Sequence, residues 1–68
     1  MTKREKQIIA AQINIDAGHY QAESRKGNHE RADFFLTRLN RLLYVAGCLG
    51  VELVSVDTET GFYYKVVE

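Results

Sequence analysis

The sequence predicts an α+β protein: an antiparallel helical hairpin followed by a C-terminal two-stranded β-hairpin, in one small domain spanning residues 1–68. Three observations predict it. Apolar side chains recur at helical spacing through two proline-free segments, a short Arg25-Lys26-Gly27-Asn28 break separates those segments, and the stretch from Val54 to Val67 alternates β-branched and aromatic residues around a turn.

The first helix is expected over residues 3–25. Thr2 followed three residues later by Glu5 is a capping-box pattern, in which each side chain satisfies a free backbone N–H at the helix start. Gly18 is the weak point, at about 1 kcal/mol relative to alanine, and marks where this helix could break. At 3.6 residues per turn the segment carries two apolar stripes, Ile9, Ile13, Ala17 and Tyr20 in one, Ile8, Ala11, Ile15 and Ala22 in the other. Gln12, Asp16, His19 and Glu23 run between them. A surface helix needs only one such stripe, so two imply two neighbours.

Basic Arg25 and Lys26 suit a helix C-terminus, Gly27 suits a left-handed cap, and Asn28 suits the N-cap of a second helix. That second helix, over residues 29–49, carries Ala32, Phe35, Leu36, Leu39, Leu42, Leu43, Ala46 and Leu49 as its core arc. Phe34 and Val45 lie outside that arc. Gly50 is the favoured terminating glycine, ahead of Gly47.

The β-hairpin is expected over residues 51–67, with a loop from Thr58 to Gly61 that sets Val56 opposite Tyr63 and Val54 opposite Lys65. One face then carries Val51, Leu53, Phe62, Tyr64 and Val66, to lie on the helices. The other carries Val54, Val56, Tyr63 and Val67, with Glu52 and Lys65 near enough to pair diagonally. That second face is too apolar to sit in water without a reason, and the open edges of a two-stranded sheet invite further strands.

Length sharpens the point. A 68-residue chain buries about 60% of its unfolded surface, and its core rarely supplies more than roughly 3–5 kcal/mol. Cys48 is the only cysteine, so no internal disulfide forms, and no Cys/His spacing matches a zinc site. Association is the remaining means of support. The composition, 46% hydrophobic and 26% charged, is that of an ordered soluble domain. No apolar run reaches signal-peptide or membrane-spanning length, which predicts a cytoplasmic setting without membrane contact. Formal net charge is zero but divided: eight basic and five acidic residues over 1–41 give +3, and Lys65 against Glu52, Asp57, Glu59 and Glu68 gives −3.

Four groups of residues bear on chemistry. Ala46-Gly47-Cys48-Leu49-Gly50-Val51 has the look of a helix-turn-helix turn, but the β-branched segment after it lacks the Arg, Lys, Asn or Gln that would read base edges. Arg31, Arg38 and Arg41 cluster beside Phe34 on the second helix and would suit phosphate contacts; the structural reading is a solvated edge whose arginines pair with Glu30, Glu23 or a second subunit. Asp16, His19 and Glu23 share a face and could hold a divalent ion, yet no second helix brings matching ligands, and a polar seam accounts for them equally. Cys48 reads as a small buried apolar residue without an activating base.

No catalytic, metal or cofactor-binding constellation emerges. The sequence favours a non-enzymatic protein–protein interaction or regulatory module that self-associates, with a dimer favoured, of the kind common among bacterial and phage accessory proteins. Its interface residues are expected to be Ile8, Ile15, Phe34, Val54, Val56, Tyr63 and Val67. The alternative is a small nucleic-acid-binding regulator that uses Arg31, Arg38 and Arg41.

Overall fold

The computed structural model describes residues 1–67. Two helices, α1 (Lys3–Lys26) and α2 (His29–Cys48), are followed by strands β1 (Leu53–Thr58) and β2 (Gly61–Val66), which pair antiparallel. The α-α-β-β order and the helical and β hairpins are those the sequence predicts. Boundaries differ by a residue at the helix ends.

The α1 start is capped as the Thr2–Glu5 pattern implies: Glu5 N–H donates to the Thr2 hydroxyl at 3.1 Å, and Thr2 N–H donates to Glu5 Oε1 at 2.8 Å. That backbone hydrogen bond, with the hydroxyl contact, holds the Glu5 carboxyl below its ordinary pKa. Gly18 does not break the helix, which runs continuously to Lys26. Both helices stop by the same device. Gly27 and Gly50 each take φ of 79°, and each stop has crossed hydrogen bonds, Gly27 to Ser24 and Asn28 to Glu23 in one, Gly50 to Gly47 and Val51 to Ala46 in the other. The second motif also seats Val51 and Ala46 together in the core.

Asn28 holds the N-cap position of α2 but does not cap it. Its amide nitrogen instead reaches back and donates to Glu23 Oε2 at 2.8 Å, a charge-assisted bond.

The core is narrow: Ile13 and Leu39 are fully buried, with Ala17, Ala46 and Val51 around them. Ile9, Leu36, Leu42, Leu43, Leu53, Phe62 and Tyr64 pack against this centre. The first stripe of α1 therefore faces inward, together with one face of the hairpin. Leu49, assigned to the core arc by periodicity, is instead 52% exposed, because α2 ends before it and the chain turns away. Cys48 is likewise exposed rather than buried; it follows Ala46 by two positions, about 200° around the helix from that buried residue.

The strands pair from Leu53–Val66 to Thr58–Gly61 without a bulge. Val56 faces Tyr63 and Val54 faces Lys65, the register read from the sequence, and only Glu59 and Thr60 remain as the turn. Glu52 and Lys65 form no ion pair among the described residues, contrary to expectation. Cα extents of 38 × 24 × 14 Å accommodate a helix layer and a sheet layer. No third layer covers the outer face of the sheet among the described residues. Among the described residues, no helix is long and apolar enough to cross a membrane.

Candidate interaction surface

Hydrogen bonds along an antiparallel pair alternate, so every second residue of each strand turns its N–H and C=O away from its neighbour. Val67 N–H donates to Glu52 C=O, which fixes the phase. Val54–Lys65, Val56–Tyr63 and Thr58–Gly61 are the bonded pairs, and Phe62 and Tyr64 turn their backbone groups outward from β2.

Those outward groups are taken by α1. The Asn14 amide donates to Tyr64 C=O at 2.9 Å and accepts from Tyr64 N–H at 2.7 Å. Gln21, seven residues on, donates to Phe62 C=O at 3.0 Å and accepts from Phe62 N–H at 2.9 Å. Each primary amide has the donor–acceptor pattern of a peptide group, so the two side chains stand in for a third strand. Gly61 makes the approach feasible: a Cβ there would collide with the Gln21 side chain. The β2 edge is thus covered from within at Phe62 and Tyr64, a role for Asn14 and Gln21 that the apolar pattern of α1 does not reveal.

The β1 edge has no such cover. Leu53, Ser55 and Asp57 turn their backbone groups outward, and no hydrogen bond reaches them among the described residues. Beside this edge lies the outer sheet face, with Val54 46% and Tyr63 43% exposed, Val67 exposed, and Val56 partly buried. Ile8 and Ile15 are exposed on the second α1 stripe, and Phe34, Tyr44 and Val45 on α2. Tyr44, the most exposed of these, is not among the interface residues expected from the sequence.

The polar residues between the α1 stripes have a different fate. Asp16 and Glu23 are buried between the helices, each facing an arginine of α2: Arg38 Nε lies 3.4 Å from Asp16 Oδ2, and Arg31 Nε 3.4 Å from Glu23 Oε1. Carboxylates seven apart on one helix meet arginines seven apart on its antiparallel neighbour, making a two-rung ionic seam. Asp16 Oδ2 has no aligned hydrogen bond, so the Arg38 charge is its main compensation. The Asn28 hydrogen bond, aided by Arg31 and Lys26 and opposed by burial, keeps the Glu23 carboxyl below its ordinary pKa. His19 joins neither carboxylate; its ring stacks on Phe35 at 4.9 Å.

Arg38 also lies over the Phe34 ring, 5.7 Å from its centroid, and with Glu30, Arg31 and Phe35 they line an open cavity of about 350 Å³. Arg41 stands outside this group and makes no ion pair among the described residues. The arginine cluster read from the sequence is therefore divided, two members bound to internal carboxylates and one turned to solvent.

The chain matches no protein-family model, and comparison with curated proteins and with solved structures returns no significant match.

Proposed function

We propose that this protein is a non-enzymatic interaction module, self-associating and acting on a protein partner in a regulatory or blocking role. One observation carries the reading: an apolar outer sheet face bearing Val54, Val56, Tyr63 and Val67 adjoins an unguarded strand edge. Exposed apolar clusters of this kind mark association surfaces, and tyrosine is among the residue types that anchor them. Ile8, Ile15 and Phe34 extend the available apolar surface to the helices. The proposed setting is the cytoplasm of a bacterium or of a phage-infected cell.

Nucleic-acid binding draws less support. Arg31 and Arg38 already neutralise Glu23 and Asp16, so a phosphate would have to compete with internal carboxylates.

Size-exclusion chromatography with light scattering tests self-association, the expected mass being twice the 7.8 kDa of the chain. Val54→Lys should weaken self-association while leaving the circular dichroism melt in place. A wild-type monomer at 100 µM would remove self-association and leave a heterologous partner as the occupant of this face. A mobility shift with DNA or RNA that weakens steeply with salt and with Arg41→Ala would replace the reading with the nucleic-acid one.

A further inference from the structure

The two edges of this sheet are treated differently by the same chain. On β2, Asn14 and Gln21 take the outward groups of Tyr64 and Phe62, whereas among the described residues no side chain takes those of β1. This strand carries no proline, no lysine and no bulge. Its one charged residue, Asp57, lies beside the turn.

We propose that the β1 edge is occupied by β1 of a second copy, paired antiparallel about a two-fold axis at Ser55. This rests on the reading of the protein as a self-associating module and specifies its interface. The alignment comes from the backbone phase. Leu53, Ser55 and Asp57 present outward N–H and C=O groups, and antiparallel partners exchange both bonds only between residues in that phase. Centring the axis on Ser55 sets Ser55 against its counterpart and Leu53 against Asp57 of the other copy, so every outward group of the strand is satisfied. Centring it on Val54 or Val56 sets Asp57 against Val51 or Leu53 against Glu59, residues that lie outside β1.

The side chains fit the same axis. Val54 falls opposite the second copy's Val56, a β-branched pair repeated by symmetry, and small exposed Ser55 residues meet at the centre. Glu52 falls opposite Thr58, so no carboxylate faces another across the seam. Residues directly opposite in an antiparallel pair project to the same side, which places both helical hairpins on one side of a four-stranded sheet. On the other side, Tyr63, Val56, the second copy's Val54 and its Lys65 form a row, which the symmetry repeats. The doubled apolar platform is then the surface offered to a partner protein.

Cross-linking tests the axis directly. Paired hydrogen-bonded residues in antiparallel strands lie about 5.5 Å apart at Cα, within the range a disulfide spans. In a Cys48→Ser background, Ser55→Cys should oxidise to a covalent dimer far more readily than Glu59→Cys at the turn. Ser55→Glu, which places like charges across the axis, should weaken dimerisation at least tenfold while leaving the far-ultraviolet circular dichroism of the monomer intact. A wild-type dimer whose Ser55→Cys form cross-links no better than Glu59→Cys, or whose Ser55→Glu form associates normally, overturns this interface and leaves the interaction-module reading standing. A wild-type monomer at 100 µM overturns the interface and self-association together.

Discussion

Asn14 and Tyr64, fifty residues apart, exchange two hydrogen bonds through which a helix side chain takes the place of a neighbouring strand. Gln21 does the same for Phe62. These pairs join α1 to the sheet by polar contacts specific in register, and they complement a core whose fully buried large side chains are Ile13 and Leu39.

Asn14→Ala should therefore cost more than a substitution of a half-buried surface residue. It leaves the partly buried N–H and C=O of Tyr64 without partners, an effect of about 1–3 kcal/mol. It also opens the second edge of the sheet, so aggregation on heating should rise. Urea denaturation and amide exchange check both parts: the Tyr64 amide should exchange faster while the Tyr63 amide, bonded to β1, stays protected. Unchanged stability with unchanged exchange at Tyr64 would refute the clamp.

Gly61 and Gln21 should be energetically coupled. A methyl group at residue 61 displaces the Gln21 amide from Phe62, so Gly61→Ala should destabilise by about 1–2 kcal/mol in the native background. In a Gln21→Ala background the clash is gone, and the same change should cost distinctly less. A double-mutant cycle with a coupling energy near zero would show that Gly61 is required for backbone conformation alone.

The fold is legible in the sequence because its signals are local. Thr2 and Glu5 cap α1, Gly27 and Gly50 end the helices, and strand alternation around Asp57 to Gly61 sets a register that the structure keeps. What is not legible depends on pairings between distant segments. Asn14 and Gln21 resemble any polar helix residues until β2 is placed beside them. Asp16 and Glu23 read as a seam between stripes, yet their burial comes from how α2 packs. Periodicity misplaces Leu49 because it does not announce where a helix stops being covered; Cys48 reads as buried from its residue type alone, although the helical phase turns it away from Ala46. The apolar outer sheet face is readable from the Val54, Val56 and Tyr63 pattern; the inequality of the two edges is not.

The ionic seam gives an asymmetric prediction. Arg38→Ala leaves the buried Asp16 carboxylate without its cation and should cost about 1–3 kcal/mol. Asp16→Asn instead leaves Arg38, whose side chain is 57% exposed, free to be solvated, and should cost less. The double variant should recover part of the Arg38→Ala loss, because it is the orphaned buried charge that destabilises. Urea midpoints for the three proteins decide the matter, and equal losses for the two single variants would mean that the pair acts by packing alone.

Acid should act through Glu23 in a defined direction. The Asn28 amide, and after it the nearby Arg31, favour the charged carboxylate, so its folded pKa lies below the ordinary value of 4.5. The unfolded chain therefore binds a proton first as pH falls, and the stabilisation from Glu23, complete above the unfolded value, is lost as pH drops through the folded one. Glu23→Gln removes this titration, so its stability should decline less than that of the wild type between about pH 6 and pH 3. Asn28→Ala should shrink the Glu23-linked part of the decline, because it removes the leading cause of the depressed pKa and brings the folded value toward the unfolded one. Thermal melts across that range supply the comparison, and parallel declines for wild type and Glu23→Gln would place the acid sensitivity on other carboxylates.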